Sequence, residues 1–367
     1  MAIALLTVIP GILNLIGQGI RINQLGRYMS LAIVALGIDL IWGYTGILSL
    51  GHGLFFALGG YALAMYLQLQ IPAGQLPEFF ILFGVTELPA LWKPFYSLPF
   101  TLFAIALLPM ILAAVLGYLF FRNRIRGVYF SILTQAMLIV FYNFFTGQQK
   151  LINGTNGLKT DTTTLFGQLV GSPPMQGLFY TITVALLVGA YFLCRWLTSG
   201  QFGRLLLAIR DDEPRVRFSG YNPTAFKVLV FAVSAGLAGI SGALYTVQSG
   251  IISPSQMGIA FSIEMVIWVA VGGRATLLGA IIGTIFVKFA ESLLSEKFPA
   301  VWLFFQGGLF LLVVMLIPNG FIGVMKQVPD LLRSLTRQNR VMTYPSLETD
   351  PEVQYERDTL TDRSSDS

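Results

Sequence analysis

Few residues in this chain could do covalent chemistry. Its 367 residues include one histidine, His52, and one cysteine, Cys194. No nucleophile sits near a base, no His/Cys/Asp/Glu group has metal-ligand spacing, and no GxxxxGK[ST] phosphate loop is present. His52 without a Cys, Asp or Glu neighbour does not make a metal site. The chain reads as neither an enzyme nor the holder of a metal or cofactor. The chemistry that remains is binding and passage, carried by ionisable groups inside apolar stretches. Asp39 lies in LAIVALGIDLIWGY and Glu264 in FSIEMVIWVAVGG. A carboxylate at membrane depth is costly, so each is a candidate functional group. Asp39, with the hydroxyls of Tyr44 and Ser49 downstream, either lines a path for a polar solute or is satisfied by donors of a neighbouring helix. Glu264 is open to the same two readings. Lys288 and Glu291, three apart on one helix, are placed to pair.

A second stretch carries charge rather than hiding it. SGQFGRLLLAIRDDEPRVRFSGYNP (199–223) has Asp211, Asp212 and Glu213 at its middle, with Arg204, Arg210, Arg215 and Arg217 inside and Arg195 and Lys227 beside it. The spacing predicts a short helix after Gly203, with Pro214 either in its first turn or ending it, and Asp212 as the cap of a second helical turn. Leu205, Leu206, Ala208 and Ile209 give it an apolar side. It reads either as a docking helix for a soluble partner or as a helix lying on lipid headgroups.

The elements that must hold these residues are membrane spans. The chain is 55% hydrophobic and 11% charged, against about 25% charged in soluble domains. With roughly 20 apolar residues per crossing, spans are expected over 3–20, 28–45, 53–70, 98–121, 127–146, 176–197, 226–247, 262–273, 275–291 and 300–318. The fold class is an all-α polytopic membrane protein of about ten transmembrane helices, some broken or short. Gly43, Gly46, Gly51, Gly53, Gly59 and Gly60 suggest either a broken helix or a tightly packed hairpin. The first span, lacking a basic start and a cleavage site, reads as retained and not as a signal peptide.

Arg122, Arg124 and Arg126 and the 195–227 loop fall on one side, which the positive-inside rule makes cytoplasmic. Arg21 and Arg27 fall outside, against that trend. The loops 71–97 and 147–175 face outward. Residues 1–325 form the membrane domain, and 326–367 a cytoplasmic tail, disordered and acidic at its end. Basic residues beside apolar spans point to the bilayer, not to nucleic acid.

GYTGILSLGHGLFFALGGYALAMYL (43–67), GRLLLAIRDDEPRVRFSGYNP (203–223), FAVSAGLAGISGALY (231–245) and VGGRATLLGAIIGT (271–284) together resemble the membrane permeases of the branched-chain amino acid ABC importers. The likeness spans most of 28–320. Within that family, DLIWGYTGILSLGHGLFFALGGYA, RDDEPRVRFSGYNP and the extended first outer loop resemble the urea importers' second permease, and the Asp of GIDL departs from the Asn often seen in the amino-acid branches, a change that suits a smaller polar substrate. The resemblance implies a bacterial inner-membrane subunit that imports urea or a close small amide, with branched-chain amino acids as the alternative. It implies a second permease, two ATP-binding subunits and an external substrate-binding protein as partners, with ATP hydrolysis on the separate subunits. The loop over about 198–225 would then carry a coupling helix. Gly203 would permit the turn into it, Ala208 and Ile209 would fill a groove on the ATPase, and Arg204, Arg210, Asp211, Asp212 and Glu213 would surround them. A reading from a different class is a stand-alone carrier or channel working through Asp39 and Glu264.

Overall fold

The computed structural model describes residues 20–71 and 75–298, with isolated positions between 301 and 320. The spans expected over 3–20 and 300–318, and the acidic tail, lie outside the described residues. The principal helices are α1 (Ile20–Thr45), α2 (His52–Gln68), α3 (Leu98–Arg122), α4 (Val128–Gly147), α5 (Pro173–Thr198), α6 (Gln201–Asp211), α7 (Glu213–Phe218), α8 (Pro223–Ser249), α9 (Ile259–Gly272) and α10 (Leu277–Lys297). Six of them, α1, α3, α4, α5, α8 and α10, are long and apolar enough to cross a membrane. That supports a polytopic membrane protein but not the count of ten. At 1.5 Å per residue α9 spans only about 21 Å, so it is a partial crossing, as the short stretch before Gly272 suggests.

Helix α8 is the axis of the fold, packed against α1, α2 and α3, while α1 also meets α5, α9 and α10. Small residues permit this. A Cβ on Gly242 of α8 would strike the Phe56 carbonyl of α2, and one on Gly59 of α2 would strike the Gly239 carbonyl of α8. The two backbones therefore touch, as glycine pairs allow in membrane helices. The outer faces of α3 and α4 are the opposite in kind. Phe103, Leu107, Tyr129, Ile132 and Val140 are exposed there, as side chains meeting lipid or another apolar chain would be.

One end of the bundle is capped by the segment between α4 and α5. Here β1 (Leu158–Lys159), β2 (Thr164–Leu165) and β3 (Gln168–Leu169) are joined by β4 (Ile251–Ile252), which follows α8. β1 pairs antiparallel with β4, and β2 with β3. Buried Thr160 fixes this cap to the end of α8: its N–H donates to the Gly250 carbonyl at 2.8 Å and its hydroxyl to the Thr246 carbonyl at 3.0 Å. The opposite end carries α6 and α7.

Candidate functional site

At the α6–α7 end, the helix begins at Gln201, before Gly203 and not after it. The turn out of α5 falls at Gly200, whose φ of 113° lies in the region that favours glycine. Gly203 serves close approach instead, since a Cβ there would strike the Thr198 carbonyl. Helix α6 lays one face on the body: Gly203, Leu206 and Ile209 are buried, whereas Arg204, Ala208, Arg210 and Asp211 are exposed. This separates the pair expected to fill a partner's groove. Ile209 is 3% exposed and is spent on the protein's own core, so Ala208 alone of the two is available to a partner. Asp212 caps α7, its carboxylate accepting from the Arg215 N–H at 3.1 Å.

Glu213 also turns inward. Lys227 Nζ donates to its Oε2 at 2.5 Å and Arg217 to its Oε1 at 2.9 Å, and Arg126 Nε lies 3.2 Å from Oε2. Burial pushes this carboxyl up, but the three cations outweigh it and hold Glu213 below the ordinary glutamate value. One carboxylate thus ties α7 to the base of α8 and to the α3–α4 turn. Arg210 makes a second tie, its Nη1 donating to the Gly43 carbonyl at 2.9 Å near the end of α1. A cavity of about 320 Å³ lies between these ties, walled by Gly46, Ile47, Arg126, Arg210 and Glu213.

The chain is unwound over 46–51, between α1 and α2. Gly46 has φ +72°, and a Cβ there would sit 2.9 Å from the Arg210 side chain. Backbone left unpaired inside a membrane body must find donors and acceptors in the protein. Two helices, α4 and α9, supply them: Thr134 Oγ1 accepts from the Leu50 N–H at 3.1 Å, Ser131 donates to the Leu48 carbonyl at 2.7 Å, and Ser262 Oγ accepts from the Gly53 N–H at 3.2 Å. Ser49 takes a local role, its hydroxyl accepting from the Gly51 N–H at 3.4 Å. His52, fully buried, bonds Ser234 Oγ at 2.7 Å, and Ser234 donates to the Gly37 carbonyl at 2.6 Å. Ser234 has spent its only proton, so His52 Nε2 is the donor. These bonds set His52 level with Gly37. The unwound stretch therefore climbs back beside the end of α1, by about 12 Å at 1.5 Å per residue.

A second break, Gly273–Thr276, separates α9 from α10. Asp39 faces it. Asp39 is fully buried, and its Oδ1 accepts from the Ala275 N–H at 2.7 Å. Among the described residues Oδ2 has no hydrogen-bond partner. Tyr44 donates to the Ala275 carbonyl at 3.3 Å, and the Arg274 guanidinium lies 5.0 Å from the centre of the Trp42 ring. Ala275 holds φ +57°, a strained backbone that these contacts support. A neighbouring segment's backbone N–H thus meets one of the two carboxylate oxygens of Asp39. Asp39 and Tyr44 meet at Ala275, and Arg210 reaches the same end of α1. Glu264 does not join them. It pairs with Lys288 at 2.9 Å, and Lys288 also pairs with Glu291 on its own helix.

Sequence reasoning missed Thr134, Ser131, Ser234 and Ser262 as partners of the first break. Their only signal was a hydroxyl within an apolar run. The pairing of Glu213 with Arg126 and Lys227, and of Arg210 with a distant carbonyl, left no local trace.

Residues 20–314 match the family described as branched-chain amino acid transport system / permease component. Among curated proteins, the chain is 26% identical over 314 residues to the high-affinity branched-chain amino acid transport system permease protein LivM of Escherichia coli (strain K12), covering 79% of this chain and 67% of LivM. It is 22% identical over 318 residues to the corresponding protein BraD of Pseudomonas aeruginosa, covering 82% and 94%. It is 22% identical over 272 residues to the ribose import permease protein RbsC of Haemophilus influenzae, covering 72% and 73%. No solved structure matches it.

Proposed function

Because the chain belongs to the family of branched-chain amino acid transport system permease components, we propose that it is the membrane permease subunit of an ATP-driven ABC importer. Branched-chain amino acids are its first candidate cargo. The observation that carries the mechanism is the seating of α6: Leu206 and Ile209 hold it to the body while Arg204, Ala208 and Asp211 remain exposed. The exposed face docks an ATP-binding subunit on the cytoplasmic side. A second permease, a second ATP-binding subunit and an external binding protein complete the transporter.

In this reading the ties made by Arg210 and Glu213 give ATP binding its leverage. A docked ATPase that shifts α6 shifts the end of α1 through the Arg210–Gly43 bond. The same end of α1 holds the second break through Asp39 and Tyr44. ATP then changes the balance between inward and outward openings only as far as the ATPase binds the two states differently.

Two cargoes are separated by different observations. LivM and BraD are named for branched-chain amino acids. The loop RDDEPRVRFSGYNP and the Asp of GIDL favour urea as the second reading. Uptake of labelled leucine and labelled urea, measured in cells with and without this gene and with the partner genes intact, decides between them. Loss of leucine uptake alone establishes the amino-acid cargo, and loss of urea uptake alone establishes urea. Uptake by the purified chain without any ATPase would replace both with a stand-alone carrier.

A further inference from the structure

The Glu264–Lys288–Glu291 cluster is not used by either break. Lys288 and Glu291 wall a separate cavity of about 230 Å³, together with Arg27, Gln24, Tyr28 and Ser295, while Glu264 stands behind it and pairs with Lys288. The cavity lies between α1, α8 and α10, on the other side of the bundle's middle from α6. Arg27 is about 18 Å up α1 from Asp39, and Lys288 about 16 Å up α10 from Leu277, at 1.5 Å per residue. Arg27, Lys288 and Glu291 all lie within helices long and apolar enough to cross a membrane, where an ionisable group is costly and is read first as functional.

The formal charges of the cluster do not close on themselves. Lys288 offsets one of the two carboxylates it touches, which leaves one negative charge over. On the facing helix Arg27 makes no ion pair among the described residues, and its buried Nε has no hydrogen-bond partner. Tyr245 of α8 lines the same cavity. The cavity therefore presents a free donor on one wall and surplus acceptor capacity on the other. A solute that complements it has an oxygen at one pole and N–H groups at the other.

We infer that this cavity is a solute-binding station of the permease, taking a small molecule with an oxygen pole for Arg27 and an N–H pole for Glu291. An α-amino acid meets that description with its carboxylate and ammonium, and urea with its carbonyl and amide hydrogens. Arg27 supplies the planar fork suited to a carboxylate or carbonyl oxygen. Lys288 holds the two carboxylates in place between passages. The inference rests on the permease reading and adds to it where the solute pauses and which groups meet it.

The test uses the complete transporter in proteoliposomes with its external binding protein saturated, supplied in separate arms with labelled leucine and labelled urea. The quantity read is solute imported per ATP hydrolysed. Arg27→Gln is expected to lower that ratio more than about tenfold for whichever solute the unmodified transporter carries, the scale of a lost hydrogen bond to a charged group. Arg27→Lys is expected to recover part of it. Where Arg27→Gln fails to assemble, Glu291→Gln takes its place with the same expectation. An unchanged ratio in the assembled variant overturns the inference, as does a parallel fall of uptake and hydrolysis, which marks a structural role. Carriage of neither solute by an assembled, ATP-hydrolysing transporter also overturns it while leaving the permease reading intact. Failure of the unmodified chain to assemble with any ATPase would instead remove the permease reading itself.

Discussion

Replacing Glu213 by alanine should loosen the α6–α7 segment without touching any surface a partner could use. Lys227 is the reason. Its side chain is 7% exposed and Glu213 is its only ion-pair partner among the described residues. Breaking a buried pair by removing one member costs about 3–5 kcal/mol, chiefly through the charge left behind. Here the side chains of Arg126 and Arg217 are 43% and 31% exposed, so water recovers part of the loss, and Lys227 keeps the Phe121 ring 5.6 Å away. The lower figure, about 3 kcal/mol, therefore applies. At 1.4 kcal/mol per tenfold, the segment should open roughly a hundred times more often. Amide hydrogen exchange over 199–222 in the detergent-purified protein reads this directly. Glu213→Leu combined with Lys227→Met should restore most of the protection, because a buried pair exchanged for apolar side chains is close to neutral. Unchanged exchange in Glu213→Ala, or a double variant as open as the single one, would refute the reasoning. The pH dependence follows in sign. Glu213 titrates below its ordinary 4.5 in the folded chain, so its contribution is complete above that value and is lost as the pH falls through the lower folded one. Exchange over 199–222 should be insensitive to this group above its ordinary 4.5, once intrinsic rates are divided out, and should rise as the pH falls below that through the lower folded value.

Four further substitutions probe the body. Asp39→Ala strips the Ala275 N–H of its acceptor and should cost about 1–3 kcal/mol, whereas Asp39→Asn keeps an oxygen there and should cost less; thermal unfolding in detergent ranks them, and equal losses would deny the hydrogen bond its role. Gly242→Ala forces a methyl against the Phe56 carbonyl and should lower stability by at least about 1–3 kcal/mol, while Gly147→Ala, with open space around it, should not.

Much of this fold could be read in the sequence because lipid leaves a strong mark on composition. The spans at 98–121, 127–146 and 226–247 became α3, α4 and α8 within a few residues, and the glycines after Gly43 did mark an unwound stretch. What could not be read was orientation about a helix axis. An apolar helix has little moment, so nothing local told Ile209 from Ala208, and one proved to be core and the other surface. Long-range polar pairings were silent for a related reason. Glu213 looks like any solvated acid in RDDEPR until Lys227 is folded against it. Asp39 shows its cost in the sequence but not its partner, because the partner is a backbone N–H with no side-chain signature. Glu264 and Lys288 are each visible as costly charges, yet their pairing depends on α9 and α10 turning back at the 273–276 break.

The central claim is that the exposed face of α6 docks an ATP-binding subunit, and cysteine cross-linking in the assembled transporter tests it most directly. The native Cys194 is buried, so an introduced thiol dominates the reaction. Ala208→Cys should cross-link to the ATPase through a short bifunctional reagent, whereas Ile209→Cys, facing the core, should not. A cross-link from 209 with none from 208, or from neither, would contradict the account.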